Sequence, residues 1–177
     1  SDVYKRQVII ALPENMLTEK TNKKPVEFIN QLMSAPTTKD LAQFIEEIKE
    51  AKNPIVVLGG SIWSHEAEKD LISISEMLGL TIITSHRRQS YYNNLHKNYG
   101  GDLGLGVNPK LIDRINNSDY LVLLGGRLSE NPSQGFTLLG IPEHNKKFIH
   151  IHPGSEEIGR IYKPHLGIVS NPIAFVN

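Results

Sequence analysis

The sequence predicts an α/β fold, a Rossmann-like doubly wound parallel sheet with helices on both faces. Three observations carry that prediction. Short, wholly apolar runs at residues 55–58 (IVVL) and 120–124 (YLVLL) suit strands buried on both faces. Amphipathic, capped helical patterns alternate with them, which requires parallel pairing through crossovers. Right-handed crossovers then distribute the helices over the two faces of one sheet.

The elements follow in order. Residues 8–12 (VIIAL), closed by Pro13, read as a buried strand with no partner for about forty residues. The stretch after it is rich in Lys and Asn, carries Pro25 and Pro36, and reads as an extended linker. Thr37 and Asp40 form a capping-box start, and Leu41, Phe44, Ile45 and Ile48 mark one helical face. Asn53 and Pro54 stop that helix, and the strand at 55–58 ends in Gly59 and Gly60. Ser64 caps the next helix, which turns Ala67, Leu71, Ile74 and Leu78 inward and stops at Gly79.

Residues 81–84 form the next strand, and a long loop follows from Ser85 to the Asn108–Pro109 cap of a helix with Leu111, Ile112 and Ile115 inward. That loop is too polar and glycine-rich for core and too long for an ordinary connection. Strands at 120–124 and 147–152 come next. Ser155 is expected to cap a short helix running through Ile158 and Ile161, and 166–169 is a last strand. Asn171 and Pro172 open a helix that the sequence ends within.

Composition limits the function. Of 177 residues, nineteen are basic and nineteen acidic. No Lys/Arg stripe marks a nucleic-acid or anionic-membrane surface, so neither partner is expected. Without cysteine there are no disulfides or thiolate metal sites, which fits a reducing, cytoplasmic setting. Residues 1–7 (SDVYKRQ) lack the apolar stretch of a signal peptide and are expected to be a non-native leader. With a helix begun at 171, the chain is expected to be cut at both ends.

Loops that follow parallel strands share one edge of the sheet, where such folds bind ligands. Three qualify: 59–63, 85–108 and 125–137. Glycine at a strand end admits a ligand and bares the next helix N-terminus to an anion. Gly59, Gly60, Gly104 and Gly106, with Arg87 and Arg127 to supply charge, are the candidate cofactor-binding residues; Arg88 adds a further cation. Neither glycine cluster has the dinucleotide spacing, so the same residues also fit turns and interface ties. His150 and His152 share a strand face, but no third metal ligand is spaced to join them; they read as a satisfied pair. Asp102 is expected to fold onto its own loop, and Asp113 to be solvated. Ser61 and Ser133 are not in a nucleophile elbow. No acid/base or nucleophile constellation emerges, so no catalytic or metal-binding residue is assigned.

Three stretches carry a resemblance. They are SHRRQSYYNNLHKNYGGDLGLGVNPKL, DYLVLLGGRLSENPSQGFTLL and FIHIHPGSEEIGRIYKPHL. In this order they resemble the central domain of thiamine-diphosphate enzymes of the acetolactate synthase group. The resemblance covers residues 37–177, and VIIALPENM at 8–16 resembles the end of that family's preceding, pyrimidine-binding domain. It implies the domain plan 1–7 leader, 8–16 end of the preceding domain, 17–36 linker and 37–177 central domain. It further implies a parent carboligase or decarboxylase of 2-keto acids that uses thiamine diphosphate and Mg²⁺ and assembles as a homodimer or homotetramer. The cofactor and metal residues lie in the flanking pyrimidine- and diphosphate-binding domains, so this chain alone is expected to be inactive and to scaffold them. The resemblance places Gly59, Gly60, Gly104, Gly106 and Arg127 where flavin-binding members hold FAD, and relatives hold an ADP-like group. Against FAD stands HIHPG at 150–154, where those members carry aspartates: His152 and Gly154 cannot supply that carboxylate. The competing reading is a stand-alone module that binds FAD, ADP or NAD. Arg87 and Arg88 have no assigned partner; an anion, a neighbouring domain's carboxylate or a CoA-like phosphate would each suit them.

Overall fold

The structure is a computed structural model that describes residues 9–27, 32–61 and 63–177. The chain divides into two units, Ser1–Leu32 and Met33–Asn177. In the first, a 3₁₀ turn spans Glu14–Thr18. The expected strand at 8–12 is not found: Val8 lies outside the described residues, and residues 9–12 carry no regular structure, with Ile9 and Ile10 exposed. An apolar run becomes a strand only where another strand pairs with it, and none does among the described residues of this unit. The expected leader at 1–7 also lies outside the described residues.

The second unit is a six-stranded, all-parallel sheet with helices on both faces. Its strands are β1 (Pro54–Leu58), β2 (Thr81–Ser85), β3 (Tyr99–Leu103), β4 (Tyr120–Leu124), β5 (Lys147–His152) and β6 (Leu166–Val169). They lie in the order β3-β2-β1-β4-β5-β6, so the winding reverses between β1 and β4, which pair residue for residue from Pro54↔Tyr120 to Leu58↔Leu124. The helices are α1 (Thr38–Glu50), α2 (His65–Leu78), α3 (Pro109–Asn116) and α4 (Pro172–Val176). Among the described residues, no helix is long and apolar enough to cross a membrane.

Strand alternation builds two cores. On one face, Val56, Leu58, Ile82, Val122, Leu124, Ile149 and Ile151 meet Phe44 and Ile48 of α1, Leu71 of α2 and Val176 of α4. On the other, Ile55, Val57, Ile83, Leu121, Leu123 and Phe148 meet Leu111 and Ile115 of α3, with Leu128, Leu138 and Tyr162 from loops. The predicted caps form. Thr37 Oγ1 accepts from Asp40 N–H at 3.1 Å while Asp40 accepts from Thr37 N–H at 2.9 Å. Ser64, Asn108 and Asn171 accept at α2, α3 and α4. Gly79 ends α2 at φ +63°, a conformation glycine adopts without Cβ strain. Ile45, assigned inward, is exposed because the buried stripe of α1 centres on Phe44 and Ile48.

Three local expectations are corrected. The long loop contains the edge strand β3, hidden in the sequence because two of its five residues are glycines and one is Asp. The loop also reaches the core: Tyr92 is buried, and its hydroxyl bonds Ser75 Oγ at 2.8 Å and His96 Nδ1 at 2.9 Å. The helix expected from Ser155 to Ile161 is only a 3₁₀ turn, Ser155–Glu157, with no side-chain cap. Gly159, at φ +79°, takes the chain out of any helical path.

At the amino ends of the strands, Glu47 of α1 ties three elements together. Its carboxylate accepts from Tyr120 Oη at 2.6 Å and from Lys147 Nζ at 3.4 Å, and pairs with His165 Nε2 at 3.0 Å. The hydrogen bonds from Tyr120 and His165 hold its carboxyl down to about 2. A depressed carboxyl stabilises the fold above its unfolded pKa and loses that contribution as pH falls through the folded one. Between about pH 4.5 and 2 the protein should therefore lose on the order of 1–2 kcal/mol, solvent screening reducing the full linkage value. Urea melts across this range should show that loss in the native chain and its absence in Glu47→Gln; equal pH slopes would contradict the assignment.

Candidate functional site

The carboxyl edge between β1 and β4 is where a doubly wound sheet opens a crevice. Here two glycine pairs meet in it. A Cβ on Gly59 would lie 2.7 Å from Gly126 Cα, and one on Gly126 would lie 2.6 Å from Gly59 Cα. A Cβ on Gly60, at φ +80°, would lie 2.2 Å from Gly125 O. Each main chain thus occupies the space that a side chain on the other would need. Pro172 of α4 closes the remaining side, its Cγ 2.8 Å from where a Cβ of Gly125 would stand.

The carbonyls of Gly59, Gly60 and Gly126 have partners. Trp63 Nε1 donates to Gly59 O at 2.9 Å. Tyr91 Oη donates to Gly60 O at 3.1 Å, and Arg88 Nε donates to the same oxygen. Arg88 also lies over the Tyr91 ring, 5.6 Å from its centroid, and Tyr91 packs on Trp63 at 5.6 Å. His150 Nε2 donates to Gly126 O at 3.0 Å, which fixes the Nε2–H tautomer because a carbonyl only accepts. Burial, opposed in part by that hydrogen bond, pushes His150 down to about 4. His152 is also pushed down by burial; its Nδ1 accepts from Gly154 N–H at 3.0 Å. Both imidazoles are therefore neutral at neutral pH, and each has a backbone partner.

The six candidate residues occupy different places. Gly59 and Gly60 are in the apposition just described. Arg127 lines a cavity of about 20 Å³ with His150, Glu157, Arg160 and Tyr162. Its Nε stands 3.9 Å from the buried carboxylate of Glu157, which Arg160 also binds at 2.6 Å. Gly104 and Gly106 line a groove of about 450 Å³ between β3 and α3, bordered by Gly101, Leu105, Lys110, Leu111 and Arg114; neither Arg127 nor the glycine pairs border it. Arg87 is exposed at φ +59°, in the left-handed region that a side chain occupies at a cost. Arg88, unassigned from sequence, is the arginine that touches the glycine pair. Asp102 folds onto its own loop, accepting from the side-chain Nε2 of Gln89 at 3.1 Å rather than from a backbone N–H. Buried Ser133 accepts from Phe136 N–H at 2.8 Å and donates to Glu130 O at 3.1 Å, holding a turn.

Sequence reading overlooked the Trp63–Tyr91–Arg88 cluster. Its signal was the chain's one tryptophan, placed four residues after Gly59. Among the described residues, no three His, Asp or Glu side chains converge as metal ligands.

Comparison with known proteins places these features. The family model for the thiamine pyrophosphate enzyme, central domain, matches residues 41–177. The acetolactate synthase large subunit of Corynebacterium glutamicum is 23% identical over 139 residues, covering 78% of this chain and 22% of that protein. A pyruvate decarboxylase of Aspergillus terreus is 22% identical over 138 residues, covering 75% and 24% respectively. The chain thus spans under a quarter of the length of these curated relatives. The crystal structure of benzoylformate decarboxylase from Polynucleobacter necessarius superposes with a TM-score of 0.65 at 16% identity, over 92% of this chain and 30% of that one. At that identity the likeness establishes the fold.

The apposition makes a direct prediction. Gly126→Ala places a methyl against backbone that cannot swing away, and should destabilise the fold by about 1–3 kcal/mol. Leu105→Ala, at an exposed site, should change stability by less than about 0.5 kcal/mol. Urea denaturation of both variants tests this; a Gly126→Ala variant as stable as the Leu105→Ala one would contradict the packing.

Proposed function

The chain belongs to the central-domain family of the thiamine pyrophosphate enzymes, and from that premise we propose that its role is structural. It holds the two cofactor-binding domains of a parent carboligase or decarboxylase that acts on a 2-keto acid. The observation that carries this reading is the closure of the β1–β4 crevice by Gly59, Gly60, Gly125 and Gly126. Where a nucleotide-binding relative would admit a pyrophosphate, this chain packs backbone on backbone. Arg88, whose guanidinium reaches those glycines, is engaged by a carbonyl oxygen.

Arg127 is exposed, with its Nε 3.9 Å from the buried Glu157 carboxylate, so an anion within the chain itself already stands beside it. The names of the relatives, acetolactate synthase and pyruvate decarboxylase, suggest pyruvate as the parent's keto acid. In the parent, thiamine diphosphate would supply the carbanion chemistry from the flanking domains, with Mg²⁺ on its diphosphate. The residues of this chain would set the spacing of those domains in a homodimer or homotetramer. The competing reading, a nucleotide-binding module, would need FAD, ADP or NAD to lodge elsewhere than between the glycine pairs.

The test is turnover. Purified chain supplied with pyruvate, thiamine diphosphate and Mg²⁺ should consume no pyruvate above the protein-free rate. Consumption that scales with chain concentration would overturn the structural role.

A further inference from the structure

The groove beside β3 is left unused by the structural role, and its construction is specific. β3 ends the strand order, so one edge of its backbone pairs with β2 and the other, among the described residues, with no strand. Gly100 interrupts the register as a bulge: Ile82 pairs with Tyr99 and Ile83 with Gly101. A Cβ on Gly100 would meet Ile83 and Thr81 side-chain carbons at 2.9 Å, so that glycine is required by packing within the sheet. Gly101, Gly104 and Gly106 lie along the groove and present main chain without side chains to shield it. Sheets ordinarily protect an edge with charged side chains, Pro or covering structure. In β3 the only charged residue is Asp102, and its carboxylate is engaged by Gln89.

The opposite wall is basic. Lys110 and Arg114 stand one turn apart on α3 and both border the groove. Neither has a carboxylate within ion-pair distance among the described residues; Arg114 donates through Nη2 to Thr81 Oγ1 at 2.7 Å. Asp102 also borders the groove, its carboxylate engaged by Gln89, so two cations and one hydrogen-bonded carboxylate line the open strand edge across about 450 Å³.

We propose that this groove binds an extended, acidic segment of another polypeptide, which adds to β3 as a seventh strand and places its carboxylates against Lys110 and Arg114. Main-chain hydrogen bonds to an open edge supply affinity without sequence demands, and the side chains on one face of the added strand supply selectivity. Here the selective contact is charge. With no aromatic side chain in its lining to stack on, the groove suits a backbone better than a flat ring.

The experiment uses the ¹⁵N-labelled 177-residue chain and the capped peptide Val-Glu-Val-Glu-Val-Glu-Val. The expected result is saturable amide shifts and slowed hydrogen exchange at residues 99–103. Lys110→Glu, a change at an exposed position, should weaken binding by about tenfold while leaving the free spectrum otherwise unchanged. Salt at about 0.5 M should also weaken it. The peptide with Lys in place of Glu, and inorganic phosphate alone, should produce no saturable shifts. Equal binding of the two peptides, shifts confined to residues away from β3 and α3, saturation by phosphate alone, or no response at millimolar peptide would each overturn the proposal.

Discussion

Everything at the functional edge of this molecule depends on two main chains passing within van der Waals distance at the ends of β1 and β4. The strands there are direct neighbours in register. Their loops can cross this closely only because Gly59 and Gly126 have no Cβ. A doubly wound sheet opens a crevice where its winding reverses; here the reversal is present and the crevice is filled. The nearby side chains then act as ties. Trp63, Tyr91 and Arg88 secure the carbonyls of one pair, and His150 secures one of the other. Buried carbonyls left without donors would cost about 1–3 kcal/mol each, so this cluster is a condition of the close approach.

The rest of the domain follows from this frame. Crossovers before the reversal place α2 and Tyr92 on one face; those after it place α3, Leu138 and Tyr162 on the other. The amino edge has its own tie in Glu47, which joins α1 to β4, β5 and the approach to β6. The sheet is therefore pinned at both ends of its central strands, by backbone packing at one and by a carboxylate network at the other.

Much of this was legible in the sequence because it rests on periodicity. The strands at 120–124, 147–152 and 166–169 and the caps at Thr37, Ser64, Asn108 and Asn171 follow from local patterns, and each is found. β3 was not legible: an edge strand of glycines and Asp has no buried period to announce it. Residues 9–12 misled in the opposite sense, being apolar enough for a strand but lacking a strand to join. At the site, the sequence marks glycine and arginine as special without giving their partners. Gly59 and Gly126 are 67 positions apart in the chain, and only the sheet order shows that each exists for the other. Arg87 and Arg88 are adjacent and chemically identical, yet one is exposed and the other holds Gly60.

The crevice between β1 and β4 is filled by the protein's own backbone. Titration of the ¹⁵N-labelled chain with ADP and with FAD tests it directly through the amide signals of Gly59, Gly60, Gly125 and Gly126. These four signals should stay in place up to millimolar ligand. Saturable shifts at the four glycines would show a crevice open to nucleotide and would contradict it.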